Sequence, residues 1–271
     1  IMAKVHPTAI VDKNAEIGEN VEIGAYTVIG SKVKIRKGSK ILDHVHIEGN
    51  TQIGENNIIY PFTALGTPPQ DLGYQGEDNK LEIGNNNIIR TYVDINIGTT
   101  KGGGVTRIGN SNYLMAFSHI AHDCKVGNNN IFINNASLAG HALVEDFANL
   151  SFGVGVHQFG RVGAYSLIGG GAHVSQDVPP YAIVIGSRPF SIITGVNSVG
   201  MRRNGIARKD IETVKKAFKI LFWENLNSSQ AIKKIENTIQ INKEIAHLLE
   251  FIKTSKRGIV KRISKESGNF L

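Results

Sequence analysis

Branched aliphatic residues recur at every sixth position through most of the chain. The series covers 25 positions with one aromatic member, in three runs: Val11, Ile17, Ile23, Ile29, Ile35, Ile41, Ile47, Ile53, Ile59, Leu65; Ile83, Ile89, Ile95; and, one residue out of phase, Ile108, Leu114, Ile120, Val126, Phe132, Leu138, Val144, Leu150, Val156, Val162, Ile168, Val174. A period of six does not match the 3.6-residue helical period, but it is even and suits short strands joined by tight bends. Three such hexads make a triangular coil of 18 residues, and residues 11–180 predict about nine stacked coils.

Two further positions of the hexad carry small residues. Small side chains often stand two positions before the aliphatic, as at Ala136 and Cys124, and glycine often follows it, as at Gly84. We expect the aliphatic and the small residue to fill a narrow interior, and the glycine to give the bend its backbone freedom. Cys124 is therefore interpreted as a core residue. Because it is the chain's one cysteine, an intrachain disulfide and a cysteine-based zinc site are excluded.

Two segments interrupt the series, and the pattern changes near the C-terminus. Residues 66–82 lack the aliphatics expected at positions 71 and 77, and residues 97–107 carry the one-residue phase slip. Insertions in a solenoid project as loops that often bind ligands. After the stop predicted at residues 177–180, helical spacing begins at Ala207. Ser228 or Ser229 is expected to cap a second helix, and a third is expected to end near Gly258. The sequence thus predicts a mainly β domain over residues 1–195 and an α-helical domain over residues 196–271.

Charge separates the same two parts. The net charge is +7, yet residues 201–271 hold 16 Lys and Arg against 7 Asp and Glu, and the rest of the chain is slightly acidic. An acidic partner of the C-terminal part is expected, and nucleic acid, a small acidic protein or ligand phosphates would all fit.

The sequence has neither a signal-peptide pattern nor 18 consecutive apolar residues, so we expect a cytoplasmic protein without stable membrane insertion.

Four histidines of the repeat region lie at positions that do not point inward. His119, His122, His141 and His157 are spaced close to the 18-residue coil, which would place them on successive coils along one edge. Three histidines there could hold zinc, as in the hexapeptide-repeat carbonic anhydrases. One could instead be the general base of an acyl transfer, and the cluster could also be polar filler between subunits.

The order of motifs resembles one family. The segments PPQDLGY, GTTKGGG, SHIAHDC, NNASLAGH, GVHQF, QDVPPY and GVNSVGMRRNGI, followed by helices, are similar to those of the UDP-N-acetylglucosamine O-acyltransferases of lipid A biosynthesis, from His6 to Lys261. The resemblance implies a left-handed parallel β-helix and a homotrimer with active sites between subunits. It implies transfer of a 3-hydroxyacyl chain from acyl carrier protein to the sugar 3-position, so nucleic acid is not expected as a partner. No cofactor or metal is expected, because a thioester is already activated.

The resemblance also implies roles for individual residues. His122 matches the general base, Asp123 stands beside it, and Gly140 matches the residue whose N–H stabilises the oxyanion. The residues expected to bind substrates are Asp71, His119, His141, His157, Gln158, Gly170, Asn197 and Arg203. Among these, Asp71 matches a sugar contact, Asn197 and Arg203 match nucleotide contacts, and Gly170 matches the end of the acyl groove.

Three positions depart from the family pattern. Gly73 stands where lysine is usual, Val199 where glutamate is usual, and Asn204 where an arginine is usual. Because fewer charges would face the acceptor, a 3-amino UDP-sugar acylated to an amide is an alternative substrate. The zinc-dependent carbonic anhydrase is a more distant alternative. A glycine at position 170 would leave the groove open, which favours a long acyl chain of about fourteen carbons.

Overall fold

The computed structural model describes residues 2–187 and 190–261, so residues 1, 188–189 and 262–271 of the predicted domains lie outside the described residues. The strands β1 to β14 are Lys4–Val5, Ile10–Val11, Glu16–Ile17, Glu22–Ile23, Val28–Ile29, Lys34–Ile35, Lys40–Ile41, His46–Ile47, Asn50–Ile53, Ile58–Ile59, Ala64–Thr67, Lys80–Ile83, Ile88–Ile89 and Asp94–Asn96. The strands β15 to β28 are Val105–Ile108, Tyr113–Leu114, His119–Ile120, Lys125–Val126, Ile131–Phe132, Ser137–Leu138, Leu143–Val144, Asn149–Leu150, Gly155–Val156, Arg161–Val162, Leu167–Ile168, His173–Val174, Ala182–Ile185 and Ile192–Val196.

These strands form the three faces of a prism. Within the described residues the three sheets contain eleven, nine and eight strands, and the strands from β1 to β26 visit them in turn. Each strand pairs in parallel with the strand three places along the chain, as β19 does with β22. Ile131 faces Asn149 in that pair, so one coil takes 18 residues. The predicted left-handed parallel β-helix followed by helices is confirmed.

The hexad positions fill the interior as predicted. Every aliphatic of the series from Ile23 to Val174 is buried, as are the small residues two positions earlier from Thr27 to Ala172. The Cys124 thiol donates a hydrogen bond to the Ala139 carbonyl oxygen at 3.3 Å, and burial raises the pKa of this thiol to about 12. The interpretation of Cys124 as a core residue is confirmed.

The glycines that follow the aliphatics have a different role from the predicted one. Apart from Gly66, they do not adopt a positive φ. A Cβ on Gly84 would instead lie 2.6 Å from the Gly109 carbonyl oxygen and 2.5 Å from the Asn110 side chain of the next coil. The left-handed conformation is adopted by the third residue after the aliphatic, such as Asn86 with φ of 58°. Close packing between coils, not backbone freedom, therefore requires most of these glycines; the exceptions are Gly30, whose nearest contact would be 3.4 Å, and Gly66, which has a positive φ.

Two edges of the prism border the nine-stranded sheet. The aromatic edge joins it to the eleven-stranded sheet, and its lower corners carry Tyr26, His44, Phe62, Tyr92 and Phe117, whose consecutive ring centroids lie 5.0–5.1 Å apart. Its upper corners carry Asn135, Gly153 and Gly171. The histidine edge joins the nine-stranded to the eight-stranded sheet, and its upper corners carry Asp123, His141 and Phe159.

Both insertions leave the prism at the histidine edge, on the two consecutive coils below Asp123. The first insertion, residues 68–79, joins β11 to β12, and the second insertion, residues 97–104, joins β14 to β15. The second contains a 3₁₀ turn at Thr100–Gly102. Because β12 pairs with both β9 and β15 over four residues, the coils keep their register past both insertions.

The top of the prism differs from the prediction in its details. The sheet continues beyond the predicted stop, because β27 pairs with β25 and β28 folds back antiparallel onto β27. Four helices follow: α1 (Ser198–Arg203), α2 (Arg208–Trp223), α3 (Ser228–Thr238) and α4 (Lys243–Lys253). The short helix α1 was not predicted. Asn227, not Ser228 or Ser229, caps α3 through a reciprocal pair of hydrogen bonds with Gln230, and α4 ends before Gly258. None of the helices in the described residues has the length and apolar character that crossing a membrane requires.

Candidate active site

His122 and Asp123 form a hydrogen-bonded pair at the histidine edge, between β17 and β18. His122 Nδ1 lies 2.8 Å from Asp123 Oδ2, and the two side chains are 14% and 1% exposed. The left-handed φ of 61° at Asp123 is the regular corner geometry of this fold, so it does not mark the site. Because the carboxylate engages Nδ1, Nε2 is the nitrogen of His122 left to accept a proton.

The second insertion closes over the Asp123 carboxylate. The Thr99 amide donates to Oδ1 at 2.9 Å, and the Thr99 hydroxyl donates to Oδ2 at 2.6 Å. Gly102 approaches so closely that a Cβ there would overlap the carboxylate. Gly103 and Gly104 adopt φ of 95° and 79°, which let the chain turn back to β15. The GTTKGGG motif therefore holds the partner of the candidate base.

Gly140 lies beside the free nitrogen of His122. A Cβ at position 140 would stand 2.6 Å from His122 Nε2, so the base needs a glycine here. The neighbouring amides of Ala139 and His141 donate to carbonyl oxygens of adjacent coils. The Gly140 N–H has no acceptor among the residues that the structure describes. An unpaired N–H next to a proton-accepting nitrogen is suited to stabilising an oxyanion.

His141 packs against His122 from the coil above. Its ring stacks on Phe159 with centroids 4.3 Å apart and meets the His122 ring edge-on at 5.1 Å. In the described part of the chain, one set of three side chains could hold a metal ion, namely His122, Asp123 and His141. The zinc alternative requires three histidines, whereas this set has two and its carboxylate already accepts hydrogen bonds from Thr99. The geometry thus favours a hydrogen-bonded base.

A second histidine–carboxylate pair lies on the nine-stranded sheet. His119 Nδ1 is 2.9 Å from Asp94 Oδ2 of the coil below. Burial disfavours the charged form of Asp94, but hydrogen bonds from His119, Thr67 and Asn96 outweigh it, so the pKa of this carboxyl is lowered. His119 is thereby held in a fixed orientation next to His122.

A cleft of about 530 Å³ extends from His122 across the outer face of the nine-stranded sheet. Its lining includes Gln70, His119, His122, Gly140, Gly155, His157, Gln158 and His173. His157 is exposed, and its Nδ1 lies 3.3 Å from Nη2 of Arg257 in the C-terminal segment. The cleft thus unites most of the histidines singled out in the sequence, on successive coils as predicted.

The first insertion carries Asp71 at a partly exposed position close to the second insertion. Asp71 Oδ1 accepts the Gly73 N–H at 2.8 Å. The ammonium of Lys101 lies 3.2 Å from the point where a Cβ of Gly73 would stand. A positive charge, that of Lys101, therefore lies next to position 73, which counts against the argument from Gly73 for a 3-amino acceptor.

Three predicted site residues lie away from the histidine edge. Gly170 is at the aromatic edge, between β25 and β26. The Asn197 side chain caps α1 and donates to the carbonyl oxygen of Tyr165, at the edge between β24 and β25. Arg203 is exposed in the last turn of α1. A single chain does not bring these three residues to the catalytic pair.

Comparison with known proteins agrees with the motifs. A family model described as "Udp N-acetylglucosamine O-acyltransferase; Domain 2" matches residues 177–260. A protein of Thermodesulfovibrio yellowstonii named acyl-[acyl-carrier-protein]–UDP-N-acetylglucosamine O-acyltransferase is 50% identical, over 95% of this chain and 99% of its own length. The chain belongs to this O-acyltransferase family. A family member of the same name from Syntrophobacter fumaroxidans is 45% identical over 95% of this chain and all of its own length.

Solved structures of UDP-N-acetylglucosamine acyltransferases share the fold across almost the whole chain. The structure from Bacteroides fragilis matches with a TM-score of 0.92 at 40% identity, covering 94% of this chain and 99% of its own. The structure from Francisella novicida matches with a TM-score of 0.93 at 37% identity, covering 97% and 96%. The resemblance identified from the O-acyltransferase motifs is confirmed.

Four residues of the site were missed in the sequence. Thr99 donates hydrogen bonds to Asp123, and Gly102 packs against the same carboxylate. Lys101 lies beside Gly73, and Asp94 orients His119. The run of three glycines at the phase slip was the available signal, because one bend needs fewer glycines than that. Asp94 gave no such signal, since it occupies an ordinary outward position of a strand.

Proposed function

We propose that the protein transfers a 3-hydroxyacyl chain from acyl carrier protein to the 3-hydroxyl of UDP-N-acetylglucosamine, the first step of lipid A biosynthesis. One observation carries the proposal: the His122–Asp123 pair with the unpaired Gly140 N–H beside it. It is supported by 50% identity to a relative with that name. Both substrates are cytoplasmic molecules, so we place the reaction in the cytoplasm.

The geometry supports each step of such a transfer. His122 Nε2 takes the proton of the sugar 3-hydroxyl while the oxygen attacks the thioester carbonyl carbon. The Gly140 N–H stabilises the negative charge on the carbonyl oxygen of the tetrahedral intermediate. As the intermediate collapses, the carbon–sulfur bond breaks and the carrier thiolate takes the proton from His122. Asp123 stabilises the imidazolium that exists between these two proton transfers.

The other cleft residues would hold the acceptor. Asp71 and Lys101 on the two insertions flank an open point above Gly73, where a sugar hydroxyl or a phosphate would find both an acceptor and a donor. His119, His141, His157 and Gln158 border the path from there to the catalytic pair.

A homotrimer would complete the site. The predicted site residues are divided among three edges of one prism, and the cleft beside His122 is open on its outer side. Three chains packed around a common axis would place an edge of one subunit against the cleft of the next and exclude water from it. In that arrangement Arg203 would contact the nucleotide, and Asn197 would do so through the helix that it caps. Light scattering at micromolar concentration should give three times the 29.4 kDa chain mass.

The helical segment that we propose as a domain beginning at residue 196 would bind acyl carrier protein. Residues 208–219 of α2 expose five basic side chains: Arg208, Lys209, Lys215, Lys216 and Lys219, of which Lys215 pairs with Glu212. An acidic carrier protein would be attracted to this face, and the attraction would weaken with salt. Replacing Lys216 and Lys219 by Glu should raise KM for the acyl carrier substrate, whereas Lys13→Glu at the far end of the prism should not.

Gly170 would set the length of the acyl chain. Of the three consecutive glycines, Gly171 has φ of 69°, and a Cβ on Gly169 would meet Ile185 at 3.0 Å. A Cβ on Gly170 would meet one atom, the Phe152 carbonyl oxygen, at an ordinary 3.5 Å. The backbone therefore does not require glycine at position 170, which supports a role in leaving the acyl groove open for a chain of about fourteen carbons.

The proposal is tested by direct turnover. Purified protein is incubated with UDP-N-acetylglucosamine or its 3-amino analogue and with 3-hydroxyacyl carrier proteins of several chain lengths, and the products are separated by mass. We expect an ester on UDP-N-acetylglucosamine, and the same rate in the presence of a chelator. Faster acylation of the amino analogue would favour the amide-forming alternative, and carbon dioxide hydration that chelation abolishes would favour the zinc alternative.

A further inference from the structure

The Asp123 carboxylate is fixed at both oxygens by a single residue of the second insertion. Thr99 donates its amide N–H to Oδ1 and its hydroxyl to Oδ2, and Oδ2 also receives His122 Nδ1. An ionised carboxylate only accepts hydrogen bonds, so the hydroxyl hydrogen must point toward Asp123. The Gly102 N–H donates to the same hydroxyl oxygen at 3.2 Å. The Thr99 hydroxyl therefore has one available orientation.

We infer that Thr99 is a positioning residue for catalysis, an inference that rests on the proposed role of His122 as the base. Two hydrogen bonds from one residue fix the plane of the carboxylate, in the way that a bidentate arginine does. The fixed plane directs Oδ2 at Nδ1 of His122, which keeps the proton on that nitrogen and leaves Nε2 able to accept one. Thr99 is 4% exposed and lies behind the carboxylate, so it acts through Asp123 and not on the substrate.

The same corner contains a matched control. Thr106 is also buried, and its hydroxyl accepts the backbone N–H of Asp123 at 2.8 Å. Replacing either threonine by valine keeps the side-chain shape and removes one hydroxyl bonded to Asp123. The Thr99 hydroxyl serves the carboxylate, whereas the Thr106 hydroxyl serves the backbone. A structural role and a positioning role therefore predict different results for the two variants.

The decisive experiment compares kcat and KM for Thr99→Val, Thr99→Ser and Thr106→Val. We expect Thr99→Val to lower kcat about ten- to a hundredfold, the effect of one lost hydrogen bond to a charged group, with KM of both substrates within about twofold. Thr99→Ser keeps the hydroxyl and should stay within about threefold of the native kcat. Thr106→Val should lower the melting temperature and change kcat by less than about threefold. Equal kcat losses in the two valine variants, or native kcat in Thr99→Val, would overturn the inference.

A double-mutant cycle tests whether Thr99 acts through Asp123. In an Asp123→Asn background, Thr99→Val should reduce kcat by less than about twofold further, because the group that Thr99 positions is already altered. If the double variant lowers kcat by the product of the two single factors, Thr99 acts by another route and the inference is overturned.

A spectroscopic readout separates this inference from the proposed function. In protein labelled with ¹⁵N-histidine, His122 should carry its proton on Nδ1 near neutral pH, and Thr99→Val should shift population to the other tautomer. An unchanged tautomer in Thr99→Val would overturn the positioning role even if the enzyme is active. A tautomer shift in Thr99→Val, together with native protein that transfers no acyl group, would contradict the proposed function instead.

Discussion

The two edges of the nine-stranded sheet share one backbone geometry but differ in what they carry. The corner residues of the aromatic edge have φ of 56–69°, and those at the upper corners of the histidine edge have φ of 61–62°. On the aromatic edge each ring stacks on the ring of the next coil, with no insertion along the way. On the histidine edge two insertions leave the prism on consecutive coils, and the next two corners hold Asp123 and His141.

The difference shows what the repeat alone does not supply. A corner side chain in an uninterrupted stack meets the corner side chains directly above and below it, as Tyr92 meets Phe62 and Phe117. Asp123 instead receives two hydrogen bonds from Thr99 of the second insertion. The hexads provide rigid and regular positions, and the insertions provide the contacts that convert one position into a catalytic pair.

The largest expected effect is on kcat, which should depend on the histidine edge and not on the aromatic edge. His122→Ala should lower kcat by about 10²–10⁴-fold, the usual cost of losing a general base. His44→Ala is the matched control, because it removes a histidine from a stacked corner of the aromatic edge. It should leave kcat unchanged. Steady-state kinetics and thermal melts of both variants check this, and similar kcat values for the two would remove the distinction between the edges.

The next largest expected effect is on acyl-chain preference. It concerns the upper part of the aromatic edge, where small residues replace the stacked rings. Gly170→Met should fill the proposed groove and shift preference to a chain about four carbons shorter. Each buried CH₂ contributes about 0.8 kcal/mol, so selectivity should change on the order of a hundredfold. Gly195→Met on β28 is the control, because a Cβ there meets nothing within 4 Å. Competition between acyl carrier substrates is the measurement, and an unchanged chain preference in Gly170→Met would contradict the role in chain length.

A smaller effect tests whether the second insertion also binds the acceptor. Lys101→Met removes the ammonium beside Gly73 and should raise KM for the UDP-sugar about tenfold with little change in kcat, since a bond to a charged group is lost. Lys125→Met alters an exposed lysine of β18 on the eight-stranded sheet and should change neither constant. Initial rates at varied UDP-sugar concentration distinguish the variants. An unchanged KM in Lys101→Met would show that the acceptor binds elsewhere.

The smallest expected effect is on the pH dependence of stability and concerns the inward positions of one coil. Ser118 occupies the inward position at the aromatic edge of this coil, and Cys124 occupies the one at the histidine edge. Burial raises the pKa of the Cys124 thiol from 9.0 to about 12. Between pH 9 and 12 the unfolded chain loses this proton and the folded chain keeps it, so stability falls as the pH rises through this range. At pH 10 the loss is about 1.4 kcal/mol, and Cys124→Ser should not show it. Denaturant melts of the native protein and Cys124→Ser at pH 7 and pH 10 test this. An equal loss of stability in both proteins between the two pH values would contradict it.

The sequence predicted the parts of the molecule that repeat. The aliphatic series located every coil from Ile23 to Val174, because an even period fixes which side chains face inward. The motifs located His122, Asp123 and Gly140, which the structure brings together at one corner. These successes depend on information that is local in the chain.

What the sequence did not predict depends on contacts between coils. The role of the glycines after the aliphatics was misjudged because it is set by the backbone of the next coil, as for Gly84. Thr99 and Asp123 are 24 residues apart, and Thr99 lies in the second insertion, where the hexad pattern is interrupted. Lys101 and Gly73 belong to two loops that approach only after both coils have closed. Pairings of this kind follow from the folded geometry and have no separate sign in the sequence.

The insertions have a consequence for how the chain folds. Across a regular coil the paired residues are 18 apart in sequence, as for Asn110 and Asn128, and across the first insertion they are 30 apart, as for Glu55 and Asn85. The entropy of closing a loop grows with the logarithm of its length, so this extension costs less than about 0.6 kcal/mol. Each coil can still form on the one before it, as in other solenoids. The prism can therefore accept longer or different loops at the histidine edge with little penalty in folding.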